Sequence, residues 1–413
     1  MTRRTRLMIL TALYAGQYLA MSPLTALPAI LRAEGAPLQQ VGAVSLVNFM
    51  VIAKVLWAPL VDRYGRRPHR HYRTWLAVTQ PSIAALLLAL AAVDVTGDFA
   101  LLMTMACLLG ALIGTQDIAT DGLAVRLVDS EDRGRANAVQ VGAGFVGAAV
   151  GGAGLLTVVE HAGWSWSVVA LAGVCLLPMA VLPRIAETVR PASSGASAAR
   201  PGRRAVRSLV RRPGVAAWAG VLVPLVWMGI MLPQSLIPPL LVDRGWPLGR
   251  IGLLTVLLGG AAGVAGASVT GWLVARLGRG RVLLTGCAVQ LVGTAMLLAV
   301  AVGARAGAAA VAVAVLGLTR GALNTVIFTV FMDFCRPATA GTDFTFLSAW
   351  GFAVAVVAQS AGPPLAGALG YGAAVVIAGA VTAAALVWAR ALHGRAASGS
   401  PSGSAEHAVQ DAG

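Results

Sequence analysis

Of the 413 residues, 58% are apolar and only 11% are charged, and the mean hydropathy is +0.79, a balance that excludes a soluble domain of this length. The formal charge of +15 is spread along the chain as membrane topology and contact with anionic lipid, not as a nucleic-acid surface. The composition is that of a polytopic membrane protein.

Apolar runs of about twenty residues recur, each bounded by a turn rich in charge, Gly or Pro. They predict twelve transmembrane helices near 7–31, 38–60, 75–95, 99–126, 137–158, 164–183, 215–241, 248–274, 282–303, 307–332, 342–365 and 370–390. Transmembrane strands would alternate apolar and polar residues over about ten positions. These runs are continuously apolar, so the expected fold class is an all-α membrane bundle.

The arginines fall on alternate loops. Arg3, Arg4 and Arg6 precede the first span; Arg63, Arg66, Arg67, Arg70 and Arg73 lie between the second and third; Arg133 and Arg135 follow the fourth. A further group from Arg184 to Arg212 fills the connection after the sixth, whereas the intervening loops hold only Arg32, Arg244, Arg250 and Arg305. This positive-inside pattern predicts that both termini are cytoplasmic. The first apolar run is too long for a signal peptide, and no clear small-residue cleavage site follows it. Cys107, Cys175, Cys287 and Cys335 are widely separated, without metal-ligand spacing, and read as small packing residues.

Between roughly 184 and 213 the composition turns to Arg, Ser, Gly, Ala and Pro without an apolar period, which predicts a flexible linker. It separates a first bundle, 1–183, from a second, 214–392, and the tail 393–413 reads as disordered. The two halves repeat. LTALPAIL at 24–31 matches QSLIPPLL at 234–241, and EGAPLQQVG at 34–42 matches RGWPLGRIG at 244–252, both at an offset of 210 residues. APLVDRYGRR at 58–67 echoes GWLVARLGRG at 271–280, and GALIGTQD at 110–117 echoes GLTRGALN at 317–324. Repeats of this size point to a transporter built from two related bundles.

Lys54 is the only lysine in the chain and sits inside an apolar run. An ammonium can change its protonation state, whereas guanidinium stays charged, so a proton-linked or charge-pairing role suits it. The alternative is a lysine that snorkels to the interface. In the fourth span Asp117 and Asp121 share one helix face, with Gln116 adjoining. Carboxylates at such depth face a cavity and pair, although Asp121 lies near Arg126 and reads equally as a solvated helix end. Lys54 precedes Asp62 by about 12 Å of helix and Asp117 precedes Arg126 by about 13–14 Å, so the two lie at similar depth and are expected to pair.

In the second half Asn324 takes the position of Asp117, and Arg320 lies one turn deeper on the same face. An arginine there suits an anionic substrate, or a latch to a carboxylate of the first half. Tyr14, Gln17 and Tyr18 in the first span, and Trp227 and Gln234 in the seventh, add hydrogen-bonding and aromatic groups inside apolar sequence. Pro23, Pro28, Pro233, Pro238 and Pro239 interrupt helical hydrogen bonding in the same spans. An ATP-driven pump would need a Gly-Lys phosphate loop, and the only lysine follows Ala53. His69, His71, His161, His393 and His407 lie in loops or the tail without a catalytic motif, so neither an enzyme nor a cofactor or metal site is expected.

Twelve spans, a basic central loop and DRYGRR at 62–67 resemble the major facilitator superfamily. The resemblance implies two pseudo-symmetric six-helix bundles, alternating access, and a gating turn made by Asp62, Arg63, Gly65 and Arg66. It also implies that helices one, four, seven and ten line a central cavity, which makes Tyr14, Gln17, Tyr18, Gln116, Trp227, Gln234, Arg320 and Asn324 substrate-cavity candidates. Physically, Asp62 can accept hydrogen bonds from a neighbouring helix N-terminus while the arginines hold the loop at lipid headgroups. Ala275 replaces the aspartate in the second copy, which weakens or removes the switch there.

KVLWAPLVDR at 54–63, RTWLAVTQ at 73–80, TQDIATD at 115–121, EDRGRANA at 131–138 and GTDFTFLSA at 341–349 resemble the muropeptide permease (AmpG-type) branch, which includes carriers of peptidoglycan fragments, acetyl-CoA and siderophores. AmpG-type permeases often carry extra helices, and in size this chain is more similar to siderophore permeases of the RhtX/FptX type. The resemblance implies a monomeric proton symporter of a bacterial inner membrane, working with a small-molecule substrate, protons and the bilayer. Its expected cargo is a siderophore of the pyochelin or rhizobactin kind, with anhydromuropeptide as the alternative.

Overall fold

The computed structural model describes residues 2–34, 40, 47, 50–64, 70–95, 97–150, 154–185, 203–212, 214–303 and 306–398. Among these residues the ordered structure is all helical, and ten helices are long and apolar enough to cross a membrane. The second expected span falls largely outside the described residues. Its end is described, running from Met50–Ala53 through a tight turn at Lys54–Leu56 to Ala58–Arg63. The fifth is the 17-residue helix Arg133–Ala149. A helical stretch Leu155–Leu176 follows, broken at Gly163, whose φ of 78° suits glycine and marks the turn between the fifth and sixth spans.

The packing repeats between the halves. The first helix packs on the fifth and sixth and the third on the fourth and sixth; likewise the seventh packs on the eleventh and twelfth, and the ninth on the tenth and twelfth. Between the halves, the fifth packs on the eighth and tenth, while the eleventh packs on the second and fourth. Exchanging the halves maps each contact onto its counterpart. Two six-helix bundles related by a pseudo-two-fold axis account for the pattern.

At their arginine-rich ends the bundles are joined by polar contacts. Asp62, 8% exposed, accepts hydrogen bonds from the backbone N–H groups of Gly341 (3.2 Å) and Thr342 (2.6 Å) and from the Tyr72 hydroxyl (2.6 Å). Those two amides open the helix Ala340–Leu369, so a first-half carboxylate caps a second-half helix. Burial pushes the Asp62 carboxyl above the usual carboxylate range, and the hydrogen bonds from Thr342 and Tyr72 oppose that rise. The related end of the fifth helix is held differently. Asp333 accepts from Arg133 Nη1 (2.7 Å) and Arg279 Nη2 (2.9 Å), and Arg279 also donates to the Ser130 carbonyl (3.0 Å).

The central connection differs from expectation where it is described. Arg203–Val210 is helical, buries Leu209 and meets the eleventh helix, with Arg336 Nη1 donating to Ser208 Oγ at 2.5 Å. A single buried apolar side chain among those described in a short basic run gives no readable period. The last helix, Tyr371–Ser398, likewise extends into the stretch expected to be disordered, and the rest of that tail lies outside the described residues.

Asp62→Ala removes the acceptor of both eleventh-helix amides. A charge-assisted hydrogen bond contributes about 1.5–3 kcal/mol, so exchange at Gly341 and Thr342 is expected to accelerate at least about tenfold. Hydrogen–deuterium exchange of the detergent-solubilised protein measures this, and unchanged protection at both amides would show that the bundles close without Asp62.

Candidate functional site

The fourth helix, Phe99–Leu127, carries the carboxylates, and a glycine lets the second span reach them. A Cβ on Gly114 would lie 3.4 Å from Lys54 Cβ and 3.3 Å from the Trp57 ring, so the glycine lets both side chains pack closely against the fourth helix. Trp57 Nε1 fixes this approach by donating to Thr115 Oγ1 at 3.1 Å. The Lys54 ammonium then forms an ion pair with Asp117 Oδ2, and Gln17 Nε2 donates to Asp117 Oδ1. Lys54 is 2% exposed and Asp117 15%, so the pair is sealed on the lysine side and open on the carboxylate side.

Asp121, one turn further on, is 1% exposed. Its Oδ1 accepts from the Tyr14 hydroxyl (2.8 Å) and Gln140 Nε2 (2.9 Å). No cation lies within ion-pair distance of Asp121 among the described residues. Lys54, Asp117, Asp121, Gln17, Gln140 and Tyr18 line a cavity of about 220 Å³. Tyr14 is fully buried behind Asp121, and Gln116, 2% exposed, lines neither this cavity nor the next.

A second cavity of about 390 Å³ adjoins the first, sharing Tyr18, Phe328 and Phe352 with it. Its charged lining residue is Arg320, accompanied by Asn324, Gln234 and Trp227. The guanidinium lies 5.3 Å from the Phe145 ring centroid, and no described carboxylate pairs with it. Arg320 Nε, Asn324 Oδ1 and Trp227 Nε1 make no hydrogen bond among the described residues. Trp227, Phe328 and Phe352 form an aromatic cluster with ring centroids 5.8–6.4 Å apart. The first-half chamber is therefore carboxylate-rich, the second-half chamber cationic, and the boundary aromatic.

Of the proposed gating residues, Asp62 sits at the bundle junction. Arg63 is exposed, with its guanidinium 5.5 Å from the Tyr64 ring centroid, and Gly65 and Arg66 lie outside the described residues. Sequence reasoning missed Gln140, Phe145, Phe328 and Phe352. Gln140 had a signal, an amide inside an apolar helix like Gln17. The phenylalanines had none, because apolar spans carry such residues on every face.

The chain matches the Major Facilitator Superfamily model over residues 7–359. It is 25% identical over 354 residues to the anhydromuropeptide permease of Escherichia coli K12, covering 84% of this chain and 71% of that protein. It is 28% identical over 141 residues to a putative transporter AmpG 4 of Rickettsia conorii, covering 33% of this chain and 34% of that one. In fold it is similar to the crystal structure of FucP in an outward conformation, with TM-score 0.73 and 14% identity over 93% of this chain and 97% of that one. It is also similar to that of a bacterial homologue of the iron transporter ferroportin in an outward-facing state with soaked iron, with TM-score 0.68 and 15% identity over 94% and 98%. The family match runs from the first helix into the eleventh and agrees with the paired bundles, so the chain belongs to the Major Facilitator Superfamily, where it is similar to AmpG-like transporters.

Proposed function

We propose that the protein is a proton-coupled secondary carrier of a bacterial inner membrane that imports an organic anion by alternating access. One observation carries this reading. Among the described residues Asp121 has two hydrogen-bond donors but no cation, beside a lysine already committed to Asp117. A carboxylate placed this way takes a proton without breaking an ion pair, and the charge it loses alters the balance that holds Lys54 on Asp117. Lys54 is followed on its own span by Asp62, so a change in the pair reaches the cap on the eleventh helix through a short stretch of backbone. With the arginine-rich end taken as cytoplasmic, the closed contacts around Asp62 and Asp333 correspond to an outward-facing state.

The favoured cargo is a siderophore, because the aromatic boundary and the lone Arg320 suit a flat aromatic body bearing a carboxylate. A peptidoglycan fragment is the second reading, favoured by similarity to the anhydromuropeptide permease. The two cavities together fall in the range of about 300–1,000 Å³ typical of small-molecule sites.

Removing one member of a buried ion pair costs about 3–5 kcal/mol, because a lone charge remains. Lys54→Ala and Asp117→Asn are therefore each expected to lower the Tm and abolish uptake, whereas the double variant recovers part of the Tm but not uptake. Thermal unfolding followed in detergent and transport in cells measure the two effects, and normal transport by either single variant at normal expression would remove the pair from the mechanism.

Growth of a deletion strain on individual siderophores, alongside uptake of labelled anhydromuropeptide, separates the two cargo readings. The siderophore reading expects growth on a pyochelin-type compound that depends on this protein, and collapse of uptake by a protonophore. Protein-dependent uptake of the muropeptide alone would reverse the order.

A further inference from the structure

The two chambers carry a balanced set of formal charges. Lys54, Asp117 and Asp121 line one and Arg320 the other, which gives two cations and two carboxylates among the described lining residues. Their partners are unequal. The Lys54–Asp117 pair neutralises itself, leaving Asp121 and Arg320 as opposite charges, without an ionic partner among the described residues, on either side of the Tyr18, Phe328 and Phe352 boundary.

We infer that the carrier moves one monoanion together with one proton and no net charge, the anion on Arg320 and the proton on Asp121. This rests on the carrier reading above and adds its stoichiometry. With Asp121 ionised, the empty cavity carries no net formal charge, Asp121 offsetting Arg320. A proton on Asp121 leaves the cavity one positive charge in excess, and an anion on Arg320 cancels it. A proton alone or an anion alone leaves an uncompensated charge in the membrane interior, which disfavours the rearrangement that both fully loaded and empty carriers undergo. Coupling then follows from charge balance, without contact between proton and substrate.

The groups around each site are consistent with this division. Asp121 is faced by Tyr14 and Tyr18 of the first helix, Lys54 of the second and Asp117 on its own helix, with Cys335 after the tenth within electrostatic range. The two tyrosines and the thiol are neutral at physiological pH, and Lys54 is held by Asp117. Arg320 meets the Phe145 face, and its Nε and Asn324 Oδ1 have no hydrogen-bond partner among the described residues. A carboxylate there would accept from Arg320, while Asn324 Oδ1 would accept from a neighbouring hydroxyl or amine of the same substrate.

The test uses the full chain in proteoliposomes with two probes that each carry a single carboxylate, pyochelin and the disaccharide N-acetylglucosaminyl-1,6-anhydro-N-acetylmuramic acid. An inward proton gradient is expected to drive uptake of at least one probe, and a pH dye trapped inside should report one proton per probe molecule. Imposing an inside-negative potential of about 100 mV should change accumulation less than about twofold, whereas one net charge would change it on the order of fiftyfold. Accumulation that follows the potential, or uptake without proton entry, overturns the inference while leaving the carrier reading intact. Uptake of neither probe under any gradient overturns the carrier reading for both cargo classes, and the inference with it. Two variants separate a charge role from a structural one. Arg320→Lys should retain proton-driven uptake that Arg320→Gln loses. Asp121→Asn should lose proton-driven accumulation while probe-for-probe exchange persists; equal loss of both by Asp121→Asn would mark Asp121 as structural and overturn the assignment.

Discussion

The contact of Lys54 with Asp117 constrains the rest of the first bundle. A buried ammonium requires a carboxylate, that carboxylate must lie at the same depth on a neighbouring helix, and the two helices must approach closely enough for the side chains to meet. Gly114 supplies the approach, the tight turn at Lys54–Leu56 directs the lysine, and Gln17 occupies the remaining oxygen of Asp117. Asp121 is thereby left with neutral donors. The chemistry proposed for the site depends on this unequal division of one lysine between two carboxylates.

The second constraint is closure, and the two copies of the repeat achieve it by different means. In the first, Asp62 caps the eleventh helix directly. In the second, Ala275 has no carboxylate to offer the fifth helix, and a Cβ on Gly271 would sit 2.7 Å from that of Ala138, a backbone approach that leaves little space for a polar side chain. The polar tie is supplied instead by Asp333 at the end of the tenth helix, held between Arg133 and Arg279. One side of the junction is thus a carboxylate on a helix N-terminus and the other a carboxylate between guanidinium groups. These respond differently to salt, because the partly exposed arginine pairs are screened more than the buried cap.

Much of the fold was legible because helix rise and apolar run length are fixed quantities. They located the spans and set Lys54 level with Asp117. The second span is the exception in detail: its tight turn at Lys54–Leu56 lies one turn before Pro59, which cannot donate to the Val55 carbonyl, and the sequence reading drew no break from that proline. Arg3 and Arg6 were read as topology charges alone, yet they also bind Asp132 and Asp129, at 2.9 and 2.6 Å. Asp333 gave no signal, and Asp343 stood only as part of the GTDFTFLSA resemblance with no role assigned, since a carboxylate at a helix end ordinarily meets water. Here Asp343 is fully buried and forked by Arg336 through Nε (2.8 Å) and Nη2 (2.6 Å). The aromatic boundary was illegible for another reason: its function arises from which face of each span turns inward, and apolar periodicity does not report that in a helix surrounded by lipid and protein.

The solitary lysine has a practical consequence. Since Lys54 is the only lysine in the chain and 2% exposed, its Nζ is a single buried primary amine, joined by that of the N-terminus alone if the latter is unblocked. Lysine labelled with a nuclear isotope would give one side-chain resonance, from the residue at the centre of the site. The protein thus contains its own spectroscopic reporter, and its charge state and surroundings can be followed through a transport cycle without adding a label that perturbs the cavity.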